Sequence, residues 1–197
     1  MASQADRVLE LFRSTGAYLT GHFRLTSGLH SAEYLQSALV LQHPSHAEEL
    51  GRRLATALKA LTPAGRIGLV VAPALGGLIV GHEVARALGT PFVFTERDAS
   101  GGMTLRRGFT IEPGVSAAVV EDVVTTGGST REVIRILEQL GATVLSAGSI
   151  IDRSGGRADL GVPRTALVTL DVVAHPPETC PMCGDGMPVS KPGSRPV

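Results

Sequence analysis

Apolar strand-like segments alternate with helix-like segments through the middle of this 197-residue chain. The apolar segments lie at 67–73, 91–96, 116–122, 143–152 and 165–172. Helical patterns at 76–88 and 128–140, each followed by a glycine, separate members of the series. Because parallel strands need crossover connections and are buried on both faces, this alternation predicts an α/β fold with a central parallel sheet flanked by helices.

The regions outside this series are smaller. A short helix is predicted at 5–13, and Ser45 with Glu48 resembles a capping box for a helix to about residue 61. Between them lies an appendage of two small strands joined by a turn at Ser27-Gly28. We therefore expect a single domain over 1–197. It comprises the appendage at about 16–42, a core at about 45–173 and an irregular, Pro-rich tail at 174–197.

Charge and composition favour a small-molecule partner. Basic and acidic residues balance at 18 each, and no basic face or acidic tail is evident, so neither nucleic acid nor a membrane surface is the expected partner. No apolar run reaches membrane-spanning length, and the first residues lack the features of a secretory signal. Two cysteines, both in the tail, form no disulfide framework, so we expect a cytoplasmic protein.

The segment VVEDVVTTGGST, residues 119–130, carries the clearest chemical signal. Its valines are explained by burial in a strand, whereas a buried carboxylate needs a partner. Ligands bind outside the carboxyl ends of strands in such sheets. Glu121 and Asp122, near the end of their strand, are therefore suited to accept hydrogen bonds from sugar hydroxyls or to assist a metal.

The loop after these acids has the composition of a phosphate-binding turn. Small residues let backbone N–H groups converge on an anion, hydroxyls add donors, and a helix N-terminus supplies a favourable dipole. The patterns GxxxxGK[ST] and GxGxxG are both absent. The alternative is an ordinary turn in which Thr or Ser caps the helix.

This combination of acids and loop resembles the phosphoribosyl-pyrophosphate (PRPP) motif of the type I phosphoribosyltransferases. Three other segments, GHFRLTSGLHSAEY, APALGGL and IDRSGG, occur in the order and spacing of the orotate phosphoribosyltransferases of the bacterial type. The resemblance covers about residues 16–173. It implies the type I phosphoribosyltransferase fold, in which the appendage at 16–42 is a small N-terminal hood over the base.

The resemblance also implies roles for individual residues in binding PRPP. The acids, Glu121 and Asp122, would hold the ribose hydroxyls, with Asp122 also counted as catalytic. Gly76 and Gly77 would face the pyrophosphate, although they equally suit a tight strand-to-helix turn. Val123 and Val124 would also belong to the PRPP site, and the loop that binds the 5-phosphate would comprise Thr125, Thr126, Gly127, Gly128 and Ser129.

Orotate would be bound by four residues according to the same resemblance. Arg153 would meet the orotate carboxylate or ring oxygens, since a guanidinium fork suits a planar acid. Alternatively, Arg153 forms an ion pair with Asp152 or Asp159. The other three are Thr125, Ser27 and Tyr34. Alternatively, Tyr34 is an aromatic residue of the hydrophobic core.

The basic residues depart from the family pattern. Many of these enzymes carry lysines where this chain has Gly76 and Thr26, and their mobile catalytic loop usually contains several basic residues and a histidine after an Arg-Lys pair. Here that loop reads ERDASGGMTLRRG, with arginine as its basic residue. Arg97 matches a family position and is predicted to be catalytic and to bind PRPP, whereas Arg106 and Arg107 lie further along.

The reaction implied is the transfer of the 5-phosphoribosyl group from PRPP to orotate, giving orotidine 5-phosphate and pyrophosphate in pyrimidine biosynthesis. The enzyme would be a pentosyltransferase that uses Mg²⁺ held mainly by PRPP and water, with no protein metal ligand. It would be a homodimer in which the loop at 97–108 reaches the neighbouring site. A PRPP-binding regulator and a purine phosphoribosyltransferase are the alternatives.

The CPMC segment at 180–183 lies outside this interpretation. Cys-x-x-Cys is half of a tetrahedral zinc site, to which His175 is a candidate third ligand. A redox pair would normally lie beside the first helix of a βαβ unit. The remaining alternative is a reduced pair of cysteines in a Pro-rich turn.

Overall fold

The structure is a computed structural model that describes residues 3–25, 27–62 and 66–192. Its N-terminal part contains three helices and two strands. In chain order they are α1 (Gln4–Ser14), β1 (Tyr18–Arg24), β2 (His30–Leu35), α2 (Ser37–Leu41) and α3 (Pro44–Leu61). Thr26, where the family pattern has lysine, lies outside the described residues.

The remaining elements form the core and the tail. The core elements are β3 (Leu69–Pro73), α4 (Gly77–Leu88), β4 (Phe92–Arg97), β5 (Met103–Leu105), β6 (Ser116–Val124), α5 (Gly128–Gln139), β7 (Thr143–Asp152) and β8 (Arg164–Thr169). The tail contains β9 (Ala174–His175), a 3₁₀ turn (Pro177–Thr179) and α6 (Pro181–Gly184). The segment expected to be irregular thus includes ordered elements, and the last core strand ends at Thr169 rather than at residue 172.

Six strands form the central sheet in the order β5-β4-β3-β6-β7-β8. All neighbours pair in parallel except β5, which runs antiparallel along the edge of β4. The predicted central parallel sheet is therefore confirmed. The strand that carries the two acids is longer than predicted, since β6 continues to Val124.

Helices cover both faces of this sheet because successive side chains of its buried strands point to opposite sides. Val120 of β6 packs in the same core as the apolar faces of α1, α3 and α4. Val119 packs in the second core, with Val133 and Leu137 of α5. The apolar residues of the central strand are thus explained by burial on two faces.

The helix ends differ in part from the sequence prediction. The predicted capping box of Ser45 and Glu48 is wrong, because α3 begins at Pro44 after His43, without a side-chain cap. Proline suits the first helical position, since the N–H that it lacks has no intrahelical acceptor there. A capping box does occur at α1, where Ser3 and Asp6 bond reciprocally.

The hood lies beside the sheet as a separate three-stranded antiparallel sheet in the order β1-β2-β9. The hairpin of β1 and β2 around Ser27-Gly28 is confirmed, and β9 of the tail adds a third strand through Ala174 and His175. Within the described part of the chain, none of the helices has both the length and the apolar character needed to cross a membrane.

Candidate functional site

The two acids of β6 point to opposite faces of the sheet at its C-terminal edge. Glu121 lies on the α5 side, where its carboxylate accepts a hydrogen bond from the hydroxyl of Thr130. Asp122 lies on the α4 side, against the backbone of Gly76, where an added Cβ would be 2.5 Å from Asp122 Oδ1. The strand end therefore presents one carboxylate to each of the two loops that open helices α4 and α5.

Both carboxyl groups are disfavoured in their charged form. Burial raises the pKa of Glu121 to about 7, with the nearby charge of Asp122 adding to the rise and Thr130 and Arg97 opposing it. Burial also raises the pKa of Asp122, against a hydrogen bond from the backbone N–H of Val123. Near neutral pH, Glu121 is therefore divided between its protonated and charged forms.

The glycine-rich loop enters α5 without a side-chain cap. Gly127 is the N-cap in the left-handed region (φ 75°), and an added Cβ there would lie 2.4 Å from Leu160 Cδ2. Because no side chain caps this helix, the alternative of a Thr or Ser cap is wrong, and the N–H groups of its first turn have no capping side chain as acceptor. Arg131 holds the loop by donating to the Thr126 carbonyl (2.9 Å) and to the Asp159 carbonyl (2.7 Å).

A polar pocket of about 250 Å³ lies over this loop. Its lining consists of Arg97, Glu121, Val123, Thr125, Thr126, Gly127, Gly128, Ser129 and Glu132. We call it the cradle pocket. Its dimensions, uncapped N–H groups and hydroxyls suit a phosphate group.

Arg97, at the end of β4, extends over the cradle pocket. Its guanidinium forms an ion pair with Glu132 (3.1 Å) and donates to Ser129 Oγ (3.3 Å) and to the Gly101 carbonyl (2.6 Å). Sequence reasoning missed Glu132, although its position three residues after Ser129 on a helix places both on one face. By contrast, Arg107 is held away from the pocket by Glu96 (2.7 Å).

A second pocket, of about 420 Å³, adjoins the first between the hood and the sheet edge. We call it the base pocket. It shares Val123, Thr125 and Thr126 with the cradle pocket. The rest of its lining is Leu25, Ser27, Leu29, Tyr34, Leu35, Gln36, Asp122, Arg153, Val172 and Ala174. No role was predicted for the apolar walls or for Gln36, although Leu25 and Leu29 lie within the hood segment GHFRLTSGLHSAEY.

Arg153 enters the base pocket without an ionic partner in the described residues. Its Nε atom is buried and has no hydrogen-bond partner there. The ion pair with Asp152 that the sequence left open does not form, because Asp152 binds Arg164 (2.6 Å) and Ser154. Burial lowers the pKa of Arg153, yet a guanidinium stays charged. The pocket therefore contains a half-buried cation suited to an anionic, planar ligand.

Tyr34 faces the same pocket rather than the hydrophobic core. Its ring is tilted against Phe23 at 5.9 Å between centroids, and burial raises the pKa of its hydroxyl. The nearby charge of Arg153 opposes that rise. Ser27, at the tip of the hairpin, lines the pocket beside it. The structure thus brings all four residues predicted to contact the base to one cavity.

The loop between β3 and α4 completes the edge. It contains a cis peptide bond between Ala74 and Leu75, and α4 then begins at Gly77 without a side-chain cap. Side chains are excluded at both glycines, since an added Cβ on Gly77 would lie 2.8 Å from the Cβ of Ala72. An uncapped helix N-terminus thus lies on the far side of Asp122 from the cradle pocket.

Comparisons with known proteins agree with this geometry. The family model described as "Phosphoribosyl transferase domain" matches residues 40–162. The chain is 54% identical to "Orotate phosphoribosyltransferase" of Pelotomaculum thermopropionicum over 192 residues, covering 98% of each chain. It is 49% identical to the protein of the same name from Thermus thermophilus, covering 93% of this chain and 98% of that one.

Solved structures are similar to the whole core. Orotate phosphoribosyltransferase from Aeropyrum pernix superposes with a TM-score of 0.68 at 28% identity, over 83% of this chain and 93% of that one. An adenine phosphoribosyltransferase superposes with a TM-score of 0.66 at 21% identity, over 81% of this chain and 98% of that one, which shows the shared fold alone. The predicted type I phosphoribosyltransferase fold is therefore confirmed.

Proposed function

The chain belongs to the phosphoribosyl transferase domain family, and on this premise we propose that it is an orotate phosphoribosyltransferase of pyrimidine biosynthesis. It transfers the 5-phosphoribosyl group of PRPP to orotate, and the products are orotidine 5-phosphate and pyrophosphate. Relatives of that name that are 54% and 50% identical to this chain over nearly its whole length support this assignment.

One observation carries the choice of base: the half-buried guanidinium of Arg153 in the base pocket, whose buried Nε atom has no hydrogen-bond partner among the described residues. Orotate is planar and carries a carboxylate, and a guanidinium can bind such a group through two parallel hydrogen bonds. Burying an unpaired cation is costly, so an anionic ligand at this position relieves that cost. A purine base has no carboxylate to meet Arg153.

PRPP occupies the cradle pocket and the edge beyond it. The 5-phosphate accepts hydrogen bonds from the N–H groups and hydroxyls of the loop at 125–129. Glu121 and Asp122 accept from the ribose hydroxyls. The pyrophosphate lies toward the uncapped start of α4 at Gly76 and Gly77, on the other side of Asp122.

The reaction needs positioning and charge neutralisation more than a protein nucleophile. A ring nitrogen of orotate attacks C1 of the ribose as the bond to pyrophosphate breaks, through a transition state with oxocarbenium character. Because the base pocket shares Val123, Thr125 and Thr126 with the cradle pocket, the two substrates are held side by side. Arg97 lines the cradle pocket, and it is proposed to leave its ion pair with Glu132 and to reach the pyrophosphate of bound PRPP, where it neutralises developing charge.

Mg²⁺ is proposed as the cofactor. The residues fit a metal that is held mainly by substrate, because Glu121 and Asp122 point to opposite faces and do not form a paired carboxylate site. When bound, Mg²⁺ would neutralise part of the charge of the pyrophosphate. The proposed active form is a homodimer in which the loop at 97–108 reaches the neighbouring site and helps to exclude water.

The test is to incubate the protein with Mg²⁺ and PRPP and to offer orotate, adenine, hypoxanthine or guanine in parallel. Loss of orotate absorbance with equimolar release of pyrophosphate is expected, and the purines should not react. Turnover with a purine alone would overturn the assignment of the base. PRPP binding without turnover of any base would favour a PRPP-binding regulator.

A further inference from the structure

Four metal-ligating side chains from distant parts of the chain meet where the tail crosses the hood. They are His22 of β1, His30 of β2, and Cys180 and Cys183 of the CPMC segment. One ligand atom from each lies within 4.8 Å of the other three. Three of the four are buried, and Cys183 is exposed. We propose that these four residues bind a structural Zn²⁺ ion.

The distances agree with a closed tetrahedral site. Cys180 Sγ and Cys183 Sγ lie 3.6 Å and 3.7 Å from His22 Nε2, and Cys183 Sγ lies 3.3 Å from His30 Nδ1. A tetrahedral zinc ion with ordinary bond lengths separates a nitrogen ligand from a sulfur ligand by roughly 3.5 Å. The two imidazole nitrogens, at 2.8 Å, need to separate by only about 0.5 Å to reach the same geometry.

The second hydrogen bond of His22 prepares it for this role. Its Nδ1 atom lies 2.8 Å from the carbonyl oxygen of Met187, which is an acceptor only. Nδ1 must therefore carry the proton, so the lone pair of Nε2 points into the cluster. A backbone carbonyl that fixes the tautomer in this way is typical of metal-bound histidine.

The fold explains why these four residues converge. β1 and β2 are antiparallel neighbours whose register shifts between Thr20 and Phe23, and at this irregularity His22 Nε2 lies 2.8 Å from His30 Nδ1. Cys180 and Cys183 occupy one turn, in which the N–H of Cys183 donates to the carbonyl of Cys180 (3.1 Å). His175, the third ligand considered from the sequence, is not part of the cluster.

Zinc is the metal that best fits these donors. Two thiolates and two imidazoles in a tetrahedral arrangement favour Zn²⁺, whereas Mg²⁺ prefers an octahedral shell of oxygens. With four protein ligands the ion has no open position, so its role is structural. It would join the tail to the hood hairpin, whose Ser27 and Tyr34 line the base pocket.

The first experiment measures metal content after purification from zinc-supplemented medium. We expect about one zinc per chain that persists through dialysis, and loss of that zinc in Cys180→Ser and Cys183→Ser. His175→Ala is the matched control, because it removes a histidine on the neighbouring strand β9 but should keep the metal. Zinc retained in both cysteine variants, or lost equally in the control, would overturn the assignment.

The second experiment needs no variant. The zinc-free protein is titrated with Co²⁺, and thiolate-to-cobalt charge-transfer bands with intense visible bands of tetrahedral coordination are expected. A strong chelator should lower the melting temperature, and added Zn²⁺ should restore it. Weak octahedral bands without charge transfer, or a disulfide between Cys180 and Cys183 in protein kept under reducing conditions, would contradict a zinc site.

Discussion

At the scale of single residues, the site depends on charged groups that the protein leaves incompletely paired. Arg153 keeps a buried Nε atom without a partner among the described residues, and Glu121 has its pKa raised to about 7. Both conditions are unfavourable in the free protein. A ligand that supplies a carboxylate to Arg153 and hydroxyls to Glu121 would remove these two unfavourable terms. Their removal would add to the free energy of binding.

Replacement of Arg153 should affect orotate selectively. We expect Arg153→Ala to lose about 3 kcal/mol of transition-state stabilisation, roughly 100-fold in kcat/KM for orotate, while the Kd for PRPP stays unchanged. Steady-state kinetics and PRPP titration check this. Arg157→Ala is the control, since Arg157 makes an exposed ion pair with Asp171 (2.7 Å) away from the base pocket. Parallel losses for both substrates would contradict a base-binding role.

Glu121 makes stability depend on pH. Between its ordinary pKa of 4.5 and about 7, the folded protein keeps a proton that the unfolded chain releases, so stability falls as pH rises through this window. At pH 8, Glu121→Gln should therefore unfold at a higher temperature than the parent, because its free energy of unfolding is larger by at most about 3 kcal/mol. Near pH 4 the two proteins should be equally stable.

Thermal melts across that pH range test this, and PRPP titration of Glu121→Gln should show weaker binding despite the gain in stability. A gain in stability of the same size at every pH would show that burial of the Glu121 charge is not its cause.

Arg97 is expected to contribute to the rate more than to binding. Arg97→Ala should lower kcat by about tenfold or more with little change in the Kd for PRPP, because charge develops on the leaving group in the transition state. Single-turnover rates and PRPP titration separate the two effects. Glu132→Gln, which releases Arg97 from its ion pair, serves as the companion variant. An equal loss of PRPP affinity would assign Arg97 to ground-state binding instead.

At the scale of elements, the site is built where strands end and helices begin. β6 ends at Val124 and α5 begins at Gly128, so only three residues connect them. α4 likewise follows β3 after a short loop, and neither helix has a side-chain cap. Two uncapped helix N-termini at one sheet edge favour a ligand with two phosphate-bearing ends.

The positive φ of Gly127 should be essential to the cradle pocket. In Gly127→Ala, a residue with a Cβ must adopt the left-handed conformation, and that Cβ would lie 2.4 Å from Leu160 Cδ2. We therefore expect a loss of about 2–4 kcal/mol in the free energy of unfolding and weaker PRPP binding. Gly89→Ala is matched in φ (68°) but has nothing within 4 Å of the added Cβ. It should cost about 1 kcal/mol and leave kinetics unchanged. Chemical denaturation and PRPP titration compare the two.

At the scale of the whole molecule, the proposed homodimer predicts that residues of both chains contribute to each site. Arg97 reaches the cradle pocket of its own chain, whereas β5 extends the edge of the sheet and Arg107 pairs with Glu96. The proposed homodimer would bring the loop beyond Arg97 to the neighbouring site. In a symmetric dimer each site would then contain residues from both chains.

Subunit mixing tests this arrangement. Arg106→Ala removes a cation of the loop proposed to reach the neighbouring site, and Asp122→Asn removes a carboxylate proposed to bind ribose, so each homodimer should have low activity. After mixing under conditions that allow exchange, the activity should rise to about a quarter of the parent value, because half of the dimers regain one intact site. Mixing each variant with itself is the control. No recovery, with exchange verified by differently tagged chains, would place the loop in its own site.

The sequence by itself determined the parallel sheet, the hood hairpin and the segments that form the site. Burial patterns and turn residues act locally, so the strand before Glu121 and the loop after it can be read from neighbouring residues. Local patterns also led to a wrong prediction at α3, where Ser45 and Glu48 resemble a capping box but the helix begins at Pro44. The ordered elements of the tail were also missed, because β9 forms only against β2.

Only the tertiary structure decided which groups are paired and which are free. Arg153 forms no ion pair with Asp152, because Arg164 of the next strand binds that carboxylate. Two histidines lie beside the CPMC segment because the hood hairpin packs against the tail. His22 precedes Cys180 by 158 positions in the sequence. Contacts between residues so far apart depend on how sheets and loops pack together, and no local pattern in the chain records that packing.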